Sequence, residues 1–268
     1  SFHTYISEKS LYADCDVDAS DGFLLLEKKI LHQEKFHSGF SYEIDTTLCR
    51  KCGRCIRNCE FDAIDSSFEI NNFKCEGCGR CEVHCGFGAI TKTENYCGDI
   101  FYSETNTNSQ MVYAKLFPGE DNSGKLVHKV RVMAKKTAED NNFEYVVIDS
   151  PPGIGCAPIA SLTGVDYLVL VTETSLSGFS DAKRLVELAE KMKIKIIAIL
   201  NKTELNKDID QIVYDYYKKK NIPVAGSIPF DSRVVDSLNK KQILIKSEYE
   251  DIRENIERIM SNIVSNIN

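Results

Sequence analysis

One spacing occurs twice within a short stretch of this chain. C-x2-C-x2-C-x3-C appears first as Cys49, Cys52, Cys55 and Cys59, then as Cys75, Cys78, Cys81 and Cys85. Nothing else in the sequence constrains the fold so tightly, because thiolates that share an inorganic centre dictate the path of the backbone around it. This is the run used in bacterial-type 4Fe–4S ligation, in which the fourth cysteine serves the other cluster. Three thiolates on one tight loop cap three corners of an iron–sulfur cube, and the fourth corner faces away. The spacing therefore assigns Cys49, Cys52, Cys55 and Cys85 to one cluster, and Cys75, Cys78, Cys81 and Cys59 to the other. Gly53, Gly77 and Gly79 suit loops whose backbone must approach a cluster and aim amides at its sulfurs.

Zinc and disulfides are the competing readings. Zinc sites usually draw on two short pairs of cysteine or histidine, rather than on four thiols repeated at one spacing. Disulfide frameworks belong to small secreted domains, and no secretory signal is visible here. One departure is the residue after each fourth cysteine, Glu60 and Gly86, where this run usually has proline. That position shapes the loop exit and supplies no ligand. Of eleven cysteines, Cys15, Cys97 and Cys156 remain outside the quartets, and such scattered thiols point to a reducing, cytoplasmic setting. A net charge of −7 gives no electrostatic support to nucleic-acid binding. No apolar run reaches the ~18 residues needed to span a bilayer.

Along the chain, residues 1–10 read as the end of a helix, and Leu11–Ala13 as a buried strand whose far end is acidic at Asp14, Asp16 and Asp18. The stretch 21–30 reads as a short helix or strand. From about Phe40 two cysteine loops, each followed by an apolar turn (FDAI, then FGAI), form an internal repeat. Residues 95–117 read as strand and loop. A helix is expected over 122–141, with Leu126, Val127, Val130, Met133, Ala134 and Ala138 on one face. Strands follow at 145–148, 167–171, 195–200 and 224–228, alternating with helices at 179–192 and 208–220, and a last helix covers 248–268. Short, continuous apolar strands between helices indicate a parallel sheet covered on both faces. The fold expected is α/β: a parallel-sheet domain (1–39 and 95–268) interrupted by an inserted α+β, bacterial-ferredoxin-like domain (40–94).

Ligands of parallel sheets bind at the carboxyl ends of the strands. Three polar clusters fall there: Asp14 and Asp16, Asp149, and Asn201-Lys202 with Pro229-Phe230-Asp231 one strand later. Such aspartates suit magnesium, which keeps most of its water and needs one or two carboxylates. Each taken singly also suits an ordinary turn cap.

Taken in order, ADCDVDA, the doubled cysteine run, DNSGKL, DSPPGIGC, LVTETSLSG, the NK pair and SIPFD span nearly the whole chain. In this order they resemble the MinD-superfamily P-loop ATPases that carry an inserted ferredoxin domain, relatives of the nitrogenase iron protein and of iron–sulfur-cluster carrier ATPases. The resemblance implies ATP and magnesium as further ligands, ATP hydrolysis as the activity, and nucleotide-dependent pairing of two copies. On matching positions it implies that Asp16 orients the attacking water, Asp14 helps hold magnesium and Asp149 is the Walker-B-type aspartate. Gly153 would let the second switch move, while Asn201, Lys202, Pro229, Phe230 and Asp231 would border the adenine. The superfamily's glycine-rich phosphate loop with two lysines is missing from the chain and is expected just upstream of Ser1. Gly119–Leu126 matches G-x4-G-K, but it ends in leucine and carries Glu120 and Asp121, so it reads as a helix cap. Without that loop the chain itself is expected to bind ATP poorly.

The function expected is an iron–sulfur redox protein with two 4Fe–4S clusters, whose electron delivery to an unidentified redox partner is gated by ATP. The alternatives are a cluster carrier or assembly ATPase, and a plain electron-transfer protein on a degenerate ATPase scaffold. Arg50, Lys51, Arg54, Arg57, Lys74 and Arg80 flank the cysteine loops, where they could raise a cluster potential, attract an acidic partner, or form an ordinary solvated surface. Cys15 and Cys156 adjoin the switch-like aspartates, where they could bind a transferred cluster across a dimer, but they read first as buried, inert thiols.

Overall fold

The computed structural model describes residues 2–6, 8–17, 28–105, 109–120 and 122–267. These divide into two compact units, one drawn from 1–33, 101–114 and 123–268, the other from 34–100 and 115–122.

In the first unit a short helix α1 (Phe2–Tyr5) leads to β1 (Ser10–Asp14), a strand buried almost throughout. Strand β1 lies between β4 (Gln110–Leu116) and β5 (Tyr145–Asp149), parallel to both. Helix α4 (Ser123–Asp140) buries Leu126, Val127, Val130, Ala134 and Ala138, the spacing of a single helical face. Met133, expected on that face, is half-buried. Gly124 opens α4 close to α5 (Cys156–Leu162), where a Cβ at position 124 would stand 3.1 Å from that of Cys156.

The same unit holds a second parallel sheet, ordered β6 (Tyr167–Glu173), β7 (Lys195–Thr203), β8 (Val224–Pro229). Alternation along β7 decides how it is covered. Ile196, Ala198 and Leu200 pack with Val186 of α6 (Leu176–Lys191) and Tyr217 of α7 (Lys207–Lys219). Ile197 and Ile199 face the other way, against Ile256, Ile259 and Ile263 of the last helix. A central strand apolar on both faces is what coverage by helices on both sides requires. Each fully buried isoleucine contributes roughly 1.5–3 kcal/mol by leaving water. Gly226 lets the last helix close onto β8, since a Cβ there would lie 2.7 Å from Ile259 Cγ1.

After β8 a short helix α8 (Ser232–Asn239), not anticipated from the sequence, precedes the last helix α9 (Glu250–Ile267). Strands β5 and β6 each stand at the end of their sheet, with one edge unpaired among the described residues.

The second unit carries most of two long strands, β2 (Lys28–Ile44) and β3 (Ile90–Thr105), neighbours in one sheet. Between them in sequence lie both cysteine loops and two short helices, α2 (Arg54–Asn58) and α3 (Arg80–Val83). The stretch 21–30, expected as a short helix or strand, lies mostly outside the described residues, and its end at Lys28–Ile30 begins β2. The length of β2 corrects the plainer reading of this region. Most of its side chains are exposed, so no alternation of apolar and polar residues marks it. A small core of Tyr42, Cys55, Ile64, Cys81 and Ile90 closes under the loops, and an antiparallel bridge pairs Ile64 with Ile70.

Candidate cluster and nucleotide sites

The two cysteine loops are built alike. Gly53 and Gly79 occupy the position before α2 and α3 with φ of 72° and 78°, in the left-handed region that glycine enters without strain. At Gly79 a side chain is also excluded by space, because a Cβ would lie 2.7 Å from the Tyr42 hydroxyl oxygen. The third cysteine of each loop, Cys55 or Cys81, falls in the helix and is buried, while the second, Cys52 or Cys78, is exposed. The fourth receives an amide: Ala63 N–H points at Cys59 Sγ and Ala89 N–H at Cys85 Sγ, both at 3.4 Å. These alanines belong to the repeated FDAI and FGAI turns, so the repeat in sequence is a repeat of one sulfur-binding device.

Two hollows open among the thiols. One, of about 310 Å³, is lined by Cys49, Cys52, Cys55 and Cys85, with Ile44, Phe87 and Ile90. The other, of about 330 Å³, is lined by Cys75, Cys78, Cys81 and Cys59, with Tyr42, Ile64 and Ile70. Each therefore draws three thiols from one loop and its fourth from the other. Among the described residues no three side chains of histidine, cysteine, aspartate or glutamate converge to hold a single ion. Donors spread around a hollow fit a polynuclear centre better than a tetrahedral zinc, whose sulfurs sit about 2.3 Å from the metal. Burial pushes the Cys81 thiol up to about 11 and raises that of Cys55 as well. A metal centre bound there displaces protons from these thiols.

The remaining thiols divide differently. Cys97 is buried and donates to the Ser38 carbonyl at 3.1 Å, a structural contact. Cys15 is buried and its thiol is pushed up to about 12 by burial, which suits an inert residue. Cys156 is exposed at the first position of α5, contrary to its reading as a buried thiol.

The strand-end residues form two groups, one per sheet of the first unit. Asp14 and Asp149 are register partners on β1 and β5, so their carboxylates emerge side by side at the carboxyl ends of adjacent parallel strands. Asp14 is buried, Asp149 exposed. Asp14 Oδ1 accepts the Asp16 backbone N–H at 3.1 Å, which holds Asp16 against the same strand end. Tyr12, unremarked in the sequence, donates its hydroxyl to Asp149 Oδ2 at 2.6 Å. Burial, followed by the Asp149 and Asp14 charges, drives its phenol far above the ordinary range, so it serves as a fixed donor. Gly153 has φ 94°, and space beside it is open.

On the second sheet, Asn201 pairs in register with Ile228, and Thr203 with Pro229, while the Phe230 N–H donates to the Thr203 carbonyl at 3.0 Å. Asn201 and Lys202 thus lie within β7, just before its last residue, rather than beyond it. Lys202 pairs with Glu173 at 2.6 Å, a partner that only the β6–β7 register reveals. Asp231 caps α8 and is bound by Arg233, whose side chain holds its carboxyl below the usual range. Arg233 also reaches Asp251 at 2.6 Å, so the Asp231 carboxylate is committed to structure.

Comparison with known proteins bears on both parts. Residues 123–267 match the ParA family, described as NUBPL iron-transfer P-loop NTPase, and residues 42–65 and 68–91 each match the Fer4 4Fe-4S binding domain. An uncharacterized protein of Methanocaldococcus jannaschii is 32% identical over 252 residues, 90% of this chain and 84% of its own length. A chloroplastic septum site-determining protein MinD homolog of Arabidopsis thaliana is 32% identical over 113 residues, 41% of this chain and 35% of that protein. Among solved structures, the MinD cell division protein of Aquifex aeolicus superposes with a TM-score of 0.55 at 15% identity, covering 98% of this chain and 89% of that one. MinD of Pyrococcus horikoshii, complexed with Mg-ADP, gives 0.55 at 14% identity, covering 99% and 89%. At those identities the structures establish the fold alone.

Proposed function

The chain belongs to the ParA family of iron-transfer P-loop NTPases and carries a 4Fe-4S binding domain, and from that premise we propose that it is a redox protein. Its two clusters pass electrons under the control of ATP. The observation that carries this reading is the pair of hollows, each lined by four cysteine thiols of this one chain. A 4Fe–4S cube with four thiolate ligands has no open corner for an acceptor to seize, which suits a resident electron carrier. Each cluster would be completed across the pair of loops, by Cys85 in one hollow and Cys59 in the other. When bound, the clusters supply one-electron chemistry. The protein supplies the thiolates, the Ala63 and Ala89 amides and the apolar wall that limits water.

For the nucleotide, Asp14 and Asp149 would hold magnesium through its shell and Asp16 would orient the attacking water. Gly153 would give the following turn its freedom. Asn201, Lys202, Pro229 and Phe230 would border the base, with Asp231 acting through the α8 cap. Positioning and charge neutralisation are the main demands of phosphoryl transfer. Strands β3 and β4 each contribute residues to both units, a covalent route by which nucleotide state could reach the clusters.

A second reading, cluster transfer to a recipient, is favoured by the description of the matching family as iron-transfer. The deciding experiment loads the chain with clusters and offers an apo-acceptor and a chelator. Clusters that are retained against both and cycle between oxidised and reduced states support the redox reading. Passage of iron and sulfide to the acceptor supports the carrier.

A further inference from the structure

The two hollows are alike in ligands and unlike in charge. From 48 to 59 the first loop carries Arg50, Lys51, Arg54 and Arg57 and no acid. From 74 to 85 the second balances Lys74 and Arg80 with Glu76 and Glu82. Arg80 is moreover ion-paired with Glu60.

The first loop's cations are also well placed. Arg50 and Arg54 line its hollow. The Arg57 guanidinium lies 3.1 Å from where a Gly53 Cβ would be, over the same loop, and that of Arg54 lies 3.6 Å from the corresponding point at Gly86, beside Cys85. All four are exposed, and among the described residues none has an ion-pair partner. The second hollow is lined instead by Glu76 and by Arg80, whose charge Glu60 offsets, with exposed Phe61 beside them.

The amide hydrogen bonds to the fourth cysteine are the same length in both hollows, so they do not separate the two centres. The charge does. Reduction adds one negative charge to a cluster, and nearby uncompensated cations favour that state.

We propose that the Arg50–Lys51–Arg54–Arg57 rim is the docking surface for an acidic, one-electron redox protein, and that the cluster it surrounds is the higher-potential member of the pair. This rests on the redox reading above. Electrons then pass from the cluster in the Cys75–Cys78–Cys81–Cys59 hollow to the rimmed one and on to the acidic partner. Each transfer moves one electron, with no bond made or broken: one cluster is oxidised as the next is reduced, and finally the partner is reduced. The chain as a whole carries −7, which repels any anionic partner, so a local cationic rim is what would steer one to this loop. The same net charge disfavours nucleic acid as the occupant.

The test uses the full chain, cluster-loaded, reduced and without nucleotide. Its reoxidation by anionic Fe(EDTA)⁻ and by cationic hexaamminecobalt(III) is followed at increasing ionic strength. The expected result is an anion rate that falls roughly tenfold from low to high salt, with the cation rate rising or flat. A variant R50Q/K51Q/R54Q/R57Q that retains its iron should lose that salt dependence. Potentiometric EPR should show one cluster shifted to lower potential in the variant and the other unmoved.

An anion rate that rises with salt, as the net charge alone dictates, would overturn the proposal, as would an unshifted potential. So would a short DNA duplex that protects the rim better than a poly-glutamate peptide does. Should the fourfold variant lose iron, R50Q and K51Q singly carry the same test. A chain with no clusters at all defeats the redox reading itself, whereas a loaded chain indifferent to probe charge defeats the docking surface alone.

Discussion

Replacing Cys59 by alanine should empty the hollow of the other loop. Cys59 follows Cys55 closely in sequence, yet its sulfur lines the hollow of Cys75, Cys78 and Cys81. Its loss removes one of four ligands there and leaves the quartet of Cys49, Cys52, Cys55 and Cys85 whole. Iron should drop from roughly eight to roughly four atoms per chain, the content of one cube instead of two. The thiols that become free identify which cube was lost. Under anaerobic alkylation followed by peptide mass analysis, Cys75 and Cys78 of Cys59→Ala should be modified, with buried Cys81 following more slowly. Cys49, Cys52 and Cys55 should stay protected, and exposed Cys156 should react in every sample as an internal control. Cys85→Ala should give the mirror pattern. Alkylation of Cys49, Cys52 and Cys55 in Cys59→Ala would refute the crossed ligation, since it would mean that each loop completes its own centre.

Gly79→Ala places a Cβ against the Tyr42 hydroxyl at a φ of 78°. The left-handed conformation costs an L-residue roughly 1–2 kcal/mol, so iron should be lost from the second hollow first, read by the same alkylation map. Ile259→Ala removes a fully buried side chain between α9 and β8 and should destabilise the protein by about 2–5 kcal/mol in denaturant titrations. Gly226→Val, which overfills the same contact from the β8 side, should cost about 1–3 kcal/mol. Burial lowers the His3 imidazole from 6.5 to about 4, while its Nδ1 lies 2.8 Å from Ser10 Oγ. The folded state thus binds fewer protons than the unfolded state between those values. Stability is complete above about pH 6.5 and is lost as pH falls towards 4, by at most about 1.4 kcal/mol per pH unit from this group. His3→Asn should flatten that slope in a series of denaturant titrations.

What the sequence made legible was whatever is fixed by spacing along the chain. Cysteine spacing forces three thiols to one loop and the fourth across, and the hollows have that composition. The apolar runs at Tyr145, Tyr167, Lys195 and Val224 become strands because helices on both faces of a sheet demand them. Partners made by strand register were out of reach. Glu173 meets Lys202, and Tyr12 meets Asp149, only because β6 pairs with β7 and β1 with β5. Arg233 claims Asp231 from the first turn of an eight-residue helix, too short for its amphipathic spacing to stand out from a loop. The long exposed run of β2 was equally silent, since a strand whose side chains mostly face water carries no alternation to read.

The most direct measurement is the metal and sulfide content of the chain prepared and reconstituted without oxygen, together with its EPR spectrum after reduction. Roughly eight iron and eight acid-labile sulfide per chain, with the signal of two interacting reduced cubes, is the expected result. A colourless protein holding zinc, or iron without sulfide, would contradict it.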